Sequence, residues 1–229
     1  MPNFTLYARG VAIHAIHATL GAAFDWWLQI KTDASKQASW GNYVDPIRGF
    51  PRSTLNTAHG DAIIYRSINP LNLWRIRRCL ALQPNDVFID IGCGKGRILS
   101  YMARWKIAKA IGIEFDLKLA EIAERNAATL RRPHAPIEIR REDAARADYS
   151  EGTILLFYNP FGPDTMRATL AQIARSLQSR PRDLTIVYYD AEHAETMHEC
   201  RWLKLDRQFQ TYTNYDVLVF RHRRSDCRF

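Results

Sequence analysis

Four short stretches of this 229-residue chain place polar or flexible residues directly behind apolar runs, where strands would deliver them to one edge of a sheet. The first, "VFIDIGCGKGRIL" (87–99), carries Asp90 and then Gly92, Gly94 and Gly96. In "AIGIEFD" the run ends on Glu114 and Phe115, in "PIEIRREDA" on Asp143 and Ala144, and in "TILLFYNPFG" on Asn159, Pro160 and Phe161. Glycine is costly to order and is kept where the backbone needs a positive φ or a close approach. Three of them between a strand and the helical pattern of "RILSYMARW" make a backbone cradle, at the strand ends where open α/β sheets bind ligands. Glu114 lies 24 residues beyond Asp90, close to the roughly 20 expected of an acidic ribose ligand, and a carboxylate there can accept hydrogen bonds from both ribose hydroxyls.

Spacing narrows the chemistry. A dinucleotide fingerprint needs GxGxxG, but Arg97 stands where the last glycine would be, and the GxxxxGK[ST] of a phosphate loop is absent. Cys79, Cys93, Cys200 and Cys227 form no CxxC pair, so neither a zinc site nor a disulfide framework is indicated. His193, Glu195, His198 and Glu199 lack HExxH spacing and read as a helix after the fifth strand, so no metal is expected. There is no GxSxG and no cysteine with an evident base partner, so nucleophilic catalysis has no support. Asp90 either touches the ligand or holds the glycine loop by accepting backbone N–H bonds. Lys95 and Arg97 put positive charge at a helix start, unfavourable by about 0.3–1 kcal/mol, which implies an anionic neighbour.

The apolar-apolar-Asp-apolar-GxGxG pattern resembles motif I of the class I S-adenosylmethionine-dependent methyltransferases, and Glu114, Asp143 and "NPFG" follow in that family's order. The resemblance implies S-adenosylmethionine as cofactor, bound by Asp90, Gly92, Gly94, Gly96, Glu114, Phe115, Asp143, Ala144 and Asn159. Tyr65 and Arg66, just before the core, are candidates for the methionine end. It implies catalytic roles for Asn159, Pro160 and Phe161. In related amino-methylating enzymes the motif is Asn or Asp, Pro, Pro, aromatic; "NPFG" lacks the second proline and is also similar to the Asn-aromatic motif of non-SET histone-lysine methyltransferases. The function implied is N-methylation of an amine such as a protein lysine. RNA or a small molecule as acceptor, and a catalytically silent cofactor-binding module, are the alternatives; intact Asp90, Glu114, Asp143 and Asn159 count against the last.

The elements that must position these residues alternate. Strands are expected at 86–91, 109–114, 136–141, 153–158 and 184–189, with helices at 96–106, 117–130 and 164–178. Parallel strands joined by helices require a sheet covered on both faces. "WLKLDRQFQ" and "YDVLVFRH" then read as a closing hairpin. The expected fold is α/β, a doubly wound, mostly parallel seven-strand sheet with a C-terminal antiparallel hairpin and an N-terminal helical extension. Residues 85–229 form the core; residues 1–84 form a helical and loop extension serving as lid or substrate region, in which "INPLNLWRIRRCLAL" is a helix. Ile13, Ile16, Leu20, Phe24 and Trp27 recur at helical spacing, leaving His14, His17, Asp25 and Gln29 toward solvent. That run carries two histidines and is too short to span a bilayer, which needs about 20 residues. No membrane is expected, and the cytoplasm is the expected location.

Formal net charge is +8, from 32 Lys and Arg against 24 Asp and Glu. The arginine clusters at 75–78, 131–132, 140–141 and the C-terminus can attract nucleic acid. They lie in different elements without an evident aromatic-interleaved groove, so a nucleic-acid partner is possible but not favoured.

Overall fold

The computed structural model describes residues 19–32, 68–212 and 214–225; Tyr65, Arg66 and the run through Ile13 and Ile16 lie outside them. In chain order the elements are α1 (residues 19–28), α2 (Pro70–Cys79), β1 (Val87–Ile91), α3 (Arg97–Met102), β2 (Lys109–Ile113) and α4 (Leu117–Thr129). They continue as β3 (Ile137–Arg140), β4 (Ile154–Tyr158), α5 (Pro163–Ser179), β5 (Leu184–Tyr189), α6 (Ala194–His198), β6 (Lys204–Gln210) and β7 (Asp216–His222). The sheet order is β3-β2-β1-β4-β5-β7-β6, with only β7 antiparallel to its neighbours. This is the expected doubly wound sheet. Its order reverses between β1 and β4, and the register sets Ile91 level with Ile113 on one side and with Phe157 on the other. The Asp90, Glu114 and Asn159 stretches therefore meet at one edge.

Local chemistry sets the helix starts. Asn69 caps α2 by accepting the Leu71 N–H, with Pro70 in the first turn. Asp116 caps α4 through the N–H groups of Lys118 and Leu119. The helix expected over 96–106 stops at Met102, because the Arg104 and Trp105 N–H groups bond three residues back, to Tyr101 and Met102 carbonyls, tightening the last turn. Two apolar layers cover the sheet. One holds Phe88, Ala110, Leu156, Val187 and Val219 against α1, α2 and α3; the other holds Ile89, Ile113, Leu155 and Tyr188 against α5 and α6.

The buried side of α1 is Gly21, Asp25 and Leu28, while Leu20 and Trp27 are partly exposed. This corrects the expectation that Asp25 faces solvent, and the cause is Arg97. Its guanidinium, 3% exposed, pairs with Asp25 Oδ1 at 2.9 Å and donates to the carbonyls of Gly21 (2.6 Å) and Ile68 (3.1 Å). Asp25 Oδ2 accepts from the Thr32 hydroxyl at 2.5 Å. The anionic neighbour implied by a cation at the start of α3 is thus Asp25, across the interface.

Removing one partner of a buried ion pair strands the other charge and costs about 3–5 kcal/mol, whereas replacing both by apolar groups is close to neutral. Arg97→Met should lose stability on that scale in urea denaturation, and Asp25→Leu with Arg97→Met should recover most of it. A single variant within about 1 kcal/mol of the parent would show that α1 is not held by this pair.

Candidate active site

The three motif glycines turn the chain from β1 into α3 in the left-handed region, with φ of 73° at Gly92, 55° at Gly94 and 75° at Gly96. Two of them also answer to close packing. A Cβ on Gly92 would stand 2.6 Å from Pro160 Cβ, and one on Gly96 would stand 3.2 Å from Ala123 Cβ on α4. Gly92 and Cys93 N–H groups donate to the Ile113 carbonyl, and Gly94 N–H donates to Glu114 Oε2 at 2.7 Å. Glu114 Oε1 accepts the Asp116 N–H at 2.9 Å. Glu114 is thus the carboxylate that holds the loop, the role considered above for Asp90. Each of its oxygens keeps a further lone pair for a ligand hydroxyl.

Asp90 is 1% exposed, and its Oδ2 has no hydrogen-bond partner. Burial, reinforced by the Glu114 charge, pushes its pKa from an ordinary 3.8 up to about 8. Burial likewise raises Glu114. A buried carboxyl with an open oxygen beside a glycine cradle suits a cationic ligand group. Phe115, which follows Glu114, is 45% exposed. Asp143 accepts the Ala145 N–H beyond the end of β3, and Ala144 is buried. Cys93 is buried in the loop, which raises its thiol pKa and keeps it a neutral packing group.

Asn159 ends β4 at φ 38° and is 1% exposed. Its Oδ1 lies 3.4 Å from the Tyr188 hydroxyl, which also accepts the His193 N–H at 3.2 Å, and its Nδ2 has no partner. As placed, the atom left over is the Nδ2 donor; reversing the amide puts Nδ2 against the Tyr188 oxygen and Oδ1 in the unpartnered place. Burial pushes Tyr188 up to about 12, so it stays a neutral hydroxyl. Phe161 is 7% exposed and packs edge-on against Phe157 with ring centroids 6.3 Å apart. It fixes the loop from beneath. The sequence reading missed Tyr188 and Asp190, which end β5 beside this loop; Asp190 is buried at φ 56°, and "VYYD" repeats the pattern of a polar residue behind an apolar run. Among the described residues no cluster of three His, Cys, Asp or Glu side chains is arranged for a metal, and no helix is long and apolar enough to cross a membrane.

Sequence comparison matches residues 88–180 to the family described as a methyltransferase domain. Residues 88–180 are a methyltransferase domain, and the motifs they carry resemble those of the class I S-adenosylmethionine-dependent enzymes. Structural relatives share the chain's fold. A Salinibacter ruber RNA methyltransferase in complex with S-adenosyl-L-homocysteine superposes with a TM-score of 0.53 at 24% identity, over 69% of this chain and 94% of its own. An S-adenosylmethionine-dependent methyltransferase from Aquifex aeolicus superposes at 0.54 with 10% identity, over 66% and 90% respectively. No curated protein sequence matches the chain significantly. The enzyme class is S-adenosylmethionine-dependent methyl transfer, and the orphaned Asp90 oxygen and the glycine cradle fit that cofactor's ammonium and nucleoside.

Because the folded pKa of Asp90 lies above its unfolded value, its contribution to stability is full below pH 3.8 and is lost as pH rises through about 8. Asp90→Asn should therefore gain stability relative to the parent across that window, measured by denaturation at several pH values; a constant difference would show that Asp90 is not buried as a neutral acid. Glu114→Gln keeps an acceptor for Gly94 but removes the charge, and should weaken cofactor binding by about 1.5–3 kcal/mol in calorimetric titration. Unchanged affinity would place the ribose elsewhere.

Proposed function

We propose that the enzyme methylates a nitrogen, on an amine such as a protein lysine. The observation carrying this reading is the leftover polar atom of Asn159, buried at the end of β4 next to the cofactor loop. When bound, the cofactor supplies a methyl group already activated by a positively charged sulfur. The protein's share is then to orient the acceptor and exclude water. With Nδ2 turned to the Tyr188 oxygen, Asn159 Oδ1 faces the site and accepts one N–H of the amine. The Pro160 carbonyl accepts a second, which turns the nitrogen lone pair toward the donor. Pro160 is held by its contact with Gly92, so the acceptor loop and the cofactor loop keep a fixed separation. Phe161, locked against Phe157, sets the angle at which the Asn-Pro pair leaves the strand. The same pair would hold the exocyclic amine of a nucleobase, and the relative from Salinibacter ruber, described as an RNA methyltransferase, makes RNA the second acceptor to test.

The test is a lysate labelled with tritiated methyl donor, separated into protein, nucleic acid and small molecules, with the methylated atom assigned by mass spectrometry. Methyl on nitrogen is expected; methyl on oxygen, sulfur or carbon would refute the reading. Asn159→Gly preserves the left-handed backbone while deleting the amide. It should lower the single-turnover rate by on the order of 10² with cofactor affinity little changed, and an unaltered rate would remove Asn159 from acceptor positioning.

A further inference from the structure

The arginines of the described residues differ in what they face. Arg140, Arg141, Arg167, Arg221 and Arg223 each pair with a carboxylate, from Glu138 and Glu151, Glu124, Glu199, Asp206 and Asp183 respectively. Among the described residues, Arg75, Arg77, Arg78, Arg104, Arg125, Arg131, Arg132, Arg175, Arg180, Arg182, Arg201 and Arg207 have no carboxylate partner. Four of them, all on one side of the molecule, lie over aromatic rings instead. Arg77 is 3.6 Å from the Trp105 ring centroid, Arg104 is 4.2 Å from Trp27, Arg78 is 4.7 Å from Trp74, and Arg75 is 5.2 Å from both Phe209 and Tyr212.

These pairs are continuous in space although scattered in sequence. The Arg104 side chain donates to the Arg131 carbonyl, and Trp27 meets Phe24, which meets Tyr101, which meets Trp105 under Arg77. From there α2 carries the row through Arg78 and Trp74 to Arg75 and Tyr212. The start of α2 is tied to the end of β5, where the Asn72 amide donates to the hydroxyl of Tyr189, the residue before Asp190, at 3.0 Å. Trp74 is 43% exposed and Tyr212 61% exposed. The fold thus assembles an aromatic-interleaved basic face from clusters that look separate in the sequence.

A row of uncompensated guanidinium groups calls for a polyanion. Burial and the charges of Arg131 and Arg132 pull the Arg104 pKa down, a repulsion that bound anions relieve. Solvent-accessible rings call for flat partners, because base–aromatic stacking tolerates any base. A phospholipid surface would supply the anions. However, these rings are capped by guanidinium groups, so their entry into hydrocarbon would carry charge with them. We propose that the face formed by α1, α2, the end of α3 and the β6–β7 turn binds single-stranded nucleic acid and leads it to the active-site rim. The proposal rests on surface residues alone and is independent of the atom methylated.

The test measures binding of fluorescent 20-nucleotide single-stranded RNA and DNA, duplex RNA, inorganic polyphosphate and phosphatidylserine vesicles. The single strands should bind best, with the logarithm of the affinity falling linearly with the logarithm of salt. Arg75→Gln, Arg78→Gln and Arg131→Gln together should reduce that slope by about 2, at about 0.7 for each phosphate no longer neutralised. The same neutralisation at the paired Arg141, Arg167 and Arg223 should change affinity less than about twofold, as expected of sites away from the bound strand. Trp74→Ala or Tyr212→Ala should weaken oligonucleotide binding by about tenfold or more while sparing polyphosphate. Calorimetric cofactor binding, which none of these residues touches, reports that each variant is folded. Equal losses in both arginine sets, no loss in either folded aromatic variant, or binding to vesicles in preference to oligonucleotides would overturn the proposal.

Discussion

The turn from β1 into α3 is the constraint on which the rest depends. Three residues in the left-handed region within five positions can be supplied at low cost only by glycine. The turn ties four elements together. Its N–H groups reach the end of β2, Gly92 touches Pro160 beyond β4, and Gly96 touches Ala123 of α4. A side chain at Gly92 would push away the segment that carries Asn159. The glycine loop proposed to cradle the cofactor and the Asn159–Phe161 loop proposed to meet the acceptor are therefore positioned by the same contact. Their separation is set by packing, whose stiffness comes from the density of a protein interior.

Electrostatics follows from that geometry. Bringing β1 and β2 into register sets Asp90 and Glu114 near each other out of water, and the penalty falls on Asp90, whose pKa rises. Glu114 escapes part of it by accepting N–H bonds from Gly94 and Asp116. On the far side of α3 the buried Arg97 would be equally costly without Asp25. Asn126 adds a second tie, donating from α4 to the carbonyls of Lys95 and Lys31 at 2.8 and 3.1 Å. The described part of the N-terminal region is in this way joined to the glycine loop, and Leu28, Ile30 and Leu73 share a core with Leu99 and Met102.

The parts legible in the sequence are those encoded locally. Apolar runs marked the strands, helical spacing marked the helices that begin near Leu117 and Asp164, and the glycine spacing marked the cradle. What escaped depends on partners distant in the chain. The hydrophobic stripe on α1 turned Asp25 outward, because its partner Arg97 lies in another element. The arginine clusters looked unrelated because α2, α3 and the segment at 131–132 meet only in the fold. No local pattern distinguished Asp90 from Glu114 as the acceptor for the Gly94 N–H; the strand register decides that. Asn159 was singled out by type and position, but its left-handed backbone and leftover amide atom arise from the neighbouring Tyr188 and Pro160.

The central claim is that the carboxyl ends of β1, β2 and β4 hold the methyl donor facing Asn159. Its most direct test is a crystal structure of the protein with S-adenosyl-L-homocysteine. Both ribose hydroxyls are expected within hydrogen-bond distance of Glu114, about 2.5–3.0 Å, with the ammonium group near Asp90 and the sulfur on the side of Asn159 and Pro160. A ligand whose ribose is held away from Glu114, or whose sulfur faces away from the β4 loop, would contradict it.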